Sequence, residues 1–295
     1  MDNKISIIIS VYNGEKHIKK CVKSIEELLN ENFEIIIIND GSTDNTQKLA
    51  HEIQMNSKHI VLVSRENKGL SASRNQGIEI SSGKYITFLD ADDEIDANEL
   101  LKIKEKINEM EIDVFVSSIV THSKNSTIRE SITIPSNRLM TGKDFLKYQL
   151  KQKTYFASAC RNLYKKSFLI DNDLFFTNGI FHEDEEWTIK VFYNAEKVYA
   201  SDYAHYHRFL ISNSITRKKN QEKNGLDLIL ISRDLYEYFS QKSNIENELK
   251  SLIMNRISDL FYDGFYKAKL FKADSKTIKT NYSHLAYSGE THKNI

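Results

Sequence analysis

Through the first 120 residues, short apolar runs alternate with segments whose apolar positions recur every three or four residues, the pattern of strand–helix–strand units feeding a largely parallel sheet. Five runs predict strands: ISIIISV at 5–11, FEIIIIND at 33–40, HIVLVS at 59–64, KYITFLD at 84–90 and DVFVSSI at 113–119. After the first, Ile18, Cys21, Val22, Ile25, Leu28 and Leu29 repeat at helical spacing. Ser42 or Thr43 predicts the N-cap of a second helix, Gly83 marks the turn before the fourth strand, and Asp96 with Glu99 forms a capping pair ahead of Leu100, Leu101, Ile103 and Ile107. Beyond Ser123 the pattern loosens around Pro135, the only proline. From Asn224 it turns helical. Leu228, Ile231, Leu235, Tyr238 and Phe239 form one stripe, and Leu249, Leu252, Ile253, Ile257 and Leu260 a second, interrupted by Arg256. The expectation is an α/β fold, a mostly parallel sheet flanked by helices over residues 1–218, with a C-terminal helical extension over 219–295 that ends in a polar stretch after about Asp274.

Composition narrows the classes. A chain of 295 residues buries a core large enough for an enzyme. Lys plus Arg and Asp plus Glu each total 41, so no global basic field draws nucleic acid, and any anion site is local. Cys21 and Cys160, the only cysteines, make neither a disulfide framework nor a metal cluster, which predicts a reducing cytoplasm. The first apolar run is too short and too interrupted for a secretion signal. No stretch approaches the roughly 20 apolar residues of a membrane span, so a soluble or peripherally attached protein is expected.

In open parallel sheets, ligands bind where strands end and loops begin. Polar residues gather at four such ends here: VYNG, NDGSTD, SRENKGLSASRN and LDADD. Asp40 follows four isoleucines and precedes Gly41. Either it accepts hydrogen bonds from a base or ribose, or it shapes the turn before a helix. Asp90 and Asp92, two apart in a tight loop, suit a hard cation such as Mg²⁺ or Mn²⁺ or, alternatively, a solvated acidic loop. Glu183 to Glu186 crowd a predicted helix start, more acids than capping requires.

Taken in order, SIIISVYNGEKHIKKCVKSI, EIIIINDGSTDNT, ENKGLSASRNQGI, GKYITFLDADD and HEDEEW resemble the family 2 glycosyltransferases, over roughly residues 4–216. The resemblance implies inverting enzymes of the A-type glycosyltransferase fold, a Rossmann-like sheet that uses a nucleotide sugar. By motif, Val11, Tyr12 and Asn13 border the nucleotide and Asp40 reads the base, commonly uracil. Arg65, Asn67, Gly69 and Arg74 pack on the nucleotide side. Asp90 and Ala91 face the donor, and Asp92 binds the Mn²⁺ or Mg²⁺ that bridges the diphosphate. Asp93 and Glu94 stay open between a supporting role and loop charge. Asp184 is the expected general base, with Glu183 as alternate; His182 beside them either tunes the carboxylates or is structural. Arg208 in YHRFLISNSITR reaches the diphosphate, His207 rather than His205 completes the metal shell, and Ser214 and Arg217 close over the donor. For these late residues an exposed edge strand is the competing reading.

FASACRNLYKKSF resembles the acceptor side of the family; Cys160 within it is expected to be buried and inert, since direct displacement needs no covalent intermediate. Phe261, Tyr262, Phe265, Tyr266 and Phe271 among Lys267, Lys269, Lys272, Lys276 and Lys279 suit either an anionic bilayer surface, a partner groove or packing on the catalytic domain. The resemblance implies a UDP-sugar donor and a saccharide acceptor on a polyprenyl-diphosphate lipid. It places the chain at the inner face of the cell membrane, as a homodimer or beside a partner transferase, in surface polysaccharide synthesis. Two other classes compete: a Mg²⁺-dependent phosphatase, disfavoured because Asp93 stands where its motif expects a hydroxyl or β-branched residue, and a non-catalytic sugar-nucleotide-binding subunit, disfavoured by the retained acids.

Overall fold

A computed structural model describes residues 3–131, 137–210 and 221–270. The isoleucine-rich runs become β1 (Ile5–Val11) and β2 (Phe33–Asp40), which with β3 (Ile60–Arg65) and β4 (Tyr85–Asp90) lie all parallel in the order β3-β2-β1-β4. Ile8 pairs with Ile36 on one side and Phe88 on the other, and every residue of β2 is buried, as strands covered on both faces require. The crossovers carry α1 (Ile18–Lys23), α2 (Thr46–Met55) and α3 (Leu70–Ile80). At Gly77 a Cβ would stand 2.3 Å from Ile8 Cγ2, so α3 lies on β1 only because that position is bare.

Two local expectations change. The first helix ends at Lys23 and passes into a 3-10 turn over Glu26–Leu28, yet Ile18, Cys21, Val22, Ile25 and Leu28 are all still buried. Asn45, not Ser42 or Thr43, stands at the N-cap position of α2, without a side-chain cap bond. Ser42 Oγ and the Thr43 amide instead bond Asn13, at 2.9 and 2.8 Å. Their hydrogen bonds join two strand-end loops instead of opening a helix.

The chain continues through β5 (Glu94–Ile95), α4 (Ala97–Glu109), β6 (Val114–Val116), β7 (Ile119–His122), β8 (Thr127–Glu130), β9 (Arg138–Met140), α5 (Gly142–Lys151), β10 (Asn162–Lys165), α6 (Lys166–Asp171), α7 (Glu183–Asn194), β11 (Val198–Ala200) and β12 (Tyr206–Phe209). The main sheet extends from β4 as β10-β6-β11-β9, with β10 antiparallel to both neighbours, and a second sheet runs β5-β12-β7-β8. The single strand expected at 113–119 is therefore two, one in each sheet. Ser117 Oγ donates to Arg161 O at 2.5 Å and the Ser118 amide to Tyr203 O at 2.7 Å, which turns the chain out of the first ladder. Asp96 caps α4 through the Glu99 amide at 3.0 Å. Glu99 does not reciprocate: its carboxylate accepts from the Ala204 amide and Lys102.

At the amino ends of the parallel strands, Glu34 is 7% exposed and accepts from Ser6 Oγ, Ser82 N, Ser82 Oγ and Lys4 Nζ at 2.5–2.9 Å. Burial opposes its charge, and the four donors outweigh burial, taking its pKa down to about 2.

Contacts divide the chain into one unit of Met1–Gly179 with Glu183–Ser212, and another of Ile180–His182 with Asn213–Ile295. The second holds α8 (Gln221–Ser240) and α9 (Asn247–Lys267), which cross where Gly225 and Gly264 meet. A Cβ on Gly225 would lie 2.5 Å from Gly264 O, so the backbones touch as only glycines allow. Leu228, Ile231, Leu235, Phe239, Leu249, Ile253, Ile257 and Leu260 of the expected stripes are buried, while Tyr262 and Tyr266 are 70% and 74% exposed. No helix among the described residues is long and apolar enough to cross a membrane. Pro135, Ser214, Arg217, Phe271, Lys272, Asp274, Lys276 and Lys279 lie outside the described residues.

Candidate active site

The carboxyl ends of β1 to β4 bring the sequence motifs together. Val11 is buried, whereas Tyr12 is 47% exposed, leaving a ring face open beside Asn13. Asn13 takes a left-handed φ of 52°, held by its bonds to Ser42 and Thr43, and the Gly14 amide donates to Thr46 Oγ1 at 2.8 Å. Asp40 is buried and accepts from Lys68 N (3.0 Å), Gly69 N (2.8 Å) and Arg65 Nε (2.9 Å). Arg65 also reaches Ala72 O, Gln76 Oε1, Gly69 O and Ser73 Oγ, so its guanidinium clamps the 66–69 loop to the start of α3. In this state both side chains do the turn-shaping work. Asn67 is exposed at the tip of that loop, and Gly41 (φ 73°) lets its backbone approach, since a Cβ there would lie 2.7 Å from Asn67 N. Gly69 opens α3 at φ 89° with nothing near its absent Cβ, so it is there for its dihedral.

Arg74, on α3 and 2% exposed, is the hub. Its Nη1 donates to Glu183 Oε1 (2.8 Å) and Asp184 Oδ1 (2.9 Å), and its Nη2 to Asp90 Oδ1 (3.1 Å) and Cys160 Sγ (3.6 Å). Behind it stand Phe88 and Phe176, with ring centres 5.8 and 5.3 Å from the guanidinium carbon, and Trp187 stacks on Phe176 at 4.1 Å. Two motifs far apart in sequence thus meet on one cation. One arginine facing three carboxylates leaves a negative excess. Burial, then mutual repulsion with Asp184, pushes Glu183 up to about 7 against the pull of Arg74. Burial raises Asp184 too, opposed by Arg74 and reinforced by Asp90. Its side chain is 24% exposed against 11% for Glu183, so Asp184 is the more accessible of the two carboxylates. Burial pushes the Cys160 thiol up, in keeping with a protonated, inert group.

Ala91 and Asp92 stand at the rim, and Asp92 is exposed, with no hydrogen bond or ion pair from another side chain to its carboxylate among the described residues. Burial of the loop and then the Asp90 charge raise its pKa. Asp93, left open by the sequence, is 5% exposed and accepts from Tyr206 Oη at 2.5 Å and Phe209 N at 2.7 Å, tying the acidic loop to β12. Burial and Asp90 push it to about 8. Glu94 pairs with Lys20. The residues after Tyr206 face other partners. The His207 Nδ1 lies 3.2 Å from His122 Nε2, and Arg208 bonds Thr121 Oγ1 (3.0 Å) and Glu130 Oε1 (2.9 Å). His205 is fully buried, 2.8 Å from Ser117 Oγ, and burial takes its pKa to about 3. Among the described residues, no three His, Cys, Asp or Glu side chains group closely enough to hold a metal alone. What is offered is the carboxylate of Asp92 next to an uncompensated acid cluster. That donor set suits a hard divalent cation whose other positions are filled by substrate phosphates and water.

Comparison with known proteins adds an independent line. Over 97% of its length the chain is 27% identical to an uncharacterized glycosyltransferase, YibD, of Escherichia coli K12, covering 92% of that protein. It is 29% identical, over 69% of its length, to 32% of a poly(ribitol-phosphate) beta-glucosyltransferase of Bacillus spizizenii. The crystal structure of S. aureus TarS 1-349 in complex with UDP-GlcNAc superposes with a TM-score of 0.74 at 20% identity, covering 93% of this chain and 77% of that one, and so shares the fold. Residues 6–172, more than half the chain, match the family described as Glycosyl transferase family 2. With the parallel sheet and the gathered motifs, that match makes the chain a member of glycosyl transferase family 2.

Proposed function

We propose that the protein is a metal-dependent, inverting glycosyltransferase that moves a hexose or N-acetylhexosamine from a UDP-sugar to a hydroxyl of a saccharide acceptor. The observation that carries this is the convergence of Asp90, Glu183 and Asp184 on the buried Arg74, with Asp92 unengaged at the rim. Such a site gains stability from an added cation. The UDP-GlcNAc seated in the TarS fold favours a UDP-sugar donor.

In this mechanism the acceptor hydroxyl gives its proton to the Asp184 carboxylate as its oxygen attacks the anomeric carbon. The bond from that carbon to the diphosphate oxygen breaks with its electron pair leaving on UDP. One displacement inverts the centre. Tyr12 presents a ring face to the base, and the 66–69 loop held by Asp40 and Arg65 borders it. Arg74 keeps Glu183 and Asp184 oriented. Asp92 would hold Mn²⁺ or Mg²⁺, which would supply positive charge against the departing diphosphate. His207 takes no part in this reading, because its ring is turned to His122. The acceptor in this reading is a polyprenyl-diphosphate-linked saccharide, met at the inner face of the bacterial membrane during surface polysaccharide assembly.

The test is a screen of UDP-sugars for UDP release with and without Mn²⁺ or Mg²⁺, on lipid-linked and soluble acceptors. Asp92→Ala is expected to lose metal stimulation. Turnover by Asp92→Ala and Asp184→Asn equal to the unaltered protein would overturn the assignment.

A further inference from the structure

A short segment ahead of α7 keeps different company from the chain on either side of it. Asn75 of α3 holds Phe176 by both its amide and its carbonyl, at 2.8 and 2.9 Å, and Thr177 Oγ1 donates to Glu186 Oε2 at 2.8 Å. The chain up to Gly179, and again from Glu183 to Ser212, groups with the sheet-bearing unit. Ile180, Phe181 and His182 group instead with α8 and α9.

The tie is specific. The Phe181 amide donates to Asp227 Oδ2 of α8 at 2.8 Å, and Lys223, one turn earlier on α8, reaches the same oxygen at 2.6 Å while its ammonium lies 4.7 Å from the centre of the Phe181 ring. Asp227 is 7% exposed. Packing of α8 alone does not call for this carboxylate, because Leu228, Ile231 and Leu235 already bury that helix and an apolar side chain would pack as well. Asp227 is spent on a loop amide, in a charge-assisted bond of the stronger kind.

The residue after Phe181 shows what that bond holds. Gly179 takes φ 79° as glycine readily does, but His182 takes φ 63°. A left-handed histidine is uncommon and is kept where its surroundings hold it. Glu183 and Asp184 follow directly, in the first turn of α7. The dihedrals at 182 therefore set the direction in which both carboxylates leave the backbone toward Arg74.

We propose that Asp227 is a positioning residue for the general base: by holding the Phe181 amide it keeps His182 in its left-handed turn, so that α7 starts where Asp184 meets Arg74. This rests on the transferase reading and deepens it, extending the support of the base to a residue that touches neither substrate nor the clustered acids.

The full chain is compared with its Asp227→Ala and Asp227→Asn variants, alone and combined with Asp184→Asn, in UDP release counted per UDP-binding site from calorimetry. Asp227→Ala is expected to lower kcat at least about ten-fold, because a small displacement of a catalytic group is costly, with KM for the UDP-sugar and Kd for UDP within about two-fold. Asp227→Asn keeps an oxygen for the Phe181 amide and should stay within about three-fold of the unaltered kcat. With Asp184→Asn already in place, Asp227→Ala should cost less than about two-fold more, as when one residue acts through another. An unchanged kcat in Asp227→Ala, an equal loss in Asp227→Asn, or the full loss repeated on the Asp184→Asn background would each overturn the assignment. Should Asp227→Ala not fold, Asp227→Leu, which keeps the bulk and removes the acceptor, takes its place. Hydrogen exchange needs neither a variant nor turnover: the Phe181 amide of the unaltered protein should exchange at least about ten-fold more slowly than a free amide, and an unprotected amide would overturn the tie. Absence of UDP release from the unaltered protein would instead count against the transferase reading, with the exchange rate still judging the tie.

Discussion

Glu34 and the Arg74 cluster are buried polar assemblies at opposite ends of the same parallel strands, and their charge balance is opposite. Glu34 is one carboxylate met by four donors, and it stays ionised down to about pH 2. Arg74 is one cation met by three carboxylates, two of which hold their protons beyond the usual carboxylate range. The first assembly is complete as it stands, whereas the second is complete only with a further positive charge or a proton. Burial alone does not separate glue from site; the tally of donors and acceptors around the buried charge does.

The widest separation is expected in turnover. Asp184→Asn should cut sugar transfer about 10²- to 10⁴-fold, the usual worth of a general base, while Glu34→Gln leaves UDP release within about two-fold. A comparable loss in Glu34→Gln would erase the distinction. Stability comes next. Arg74→Met strands three acids and should cost about 3–5 kcal/mol in urea unfolding, against about 1–3 kcal/mol for Glu34→Gln, which keeps the shape and loses the charge.

The two ends also predict opposite responses to pH. Glu34 ionises near 4.5 when unfolded and about 2 when folded, so its contribution is full above 4.5 and is lost as pH falls through about 2. Asp93 ionises near 3.8 unfolded and about 8 folded. Between those values the folded protein binds more protons, so stability falls as pH rises across that window. Asp93→Asn keeps an acceptor for Phe209 N, and unfolding midpoints followed against pH should decline less, losing the part nearest pH 8, while the raised carboxyls of Glu183 and Asp184 keep the remainder; Glu34→Gln should flatten only the acid side. The smallest effect, about 1 kcal/mol, is expected for Asp96→Ala, which removes the side-chain bond to the Glu99 amide at the α4 N-cap.

Much of the fold was legible. Strands 5–11 and 33–40 have the bounds their apolar runs predict, because parallel strands covered on both faces read as near-continuous apolar runs. Where the reading slipped, a distant partner had taken the side chain: Asn13 engages Ser42 and Thr43, and Arg161 O receives Ser117 Oγ. In the site, the order of motifs announced which acids gather, but nothing local links Arg74 to Cys160, 86 positions on. Asp93 was undecided for a similar reason, since its partners Tyr206 and Phe209 stand 113 and 116 residues away.

The partners of Arg74 lie 16, 86, 109 and 110 residues further along the chain. Those separations impose an order in time. As the polypeptide is made, Asp90 is available almost at once, Cys160 much later, and the last two acids only when residue 184 has emerged. Closing loops that long slows the event more than it weakens it. The parallel strands therefore have their partners well before the charge centre does, and a nascent chain spends an interval as a formed sheet with an unfinished mouth.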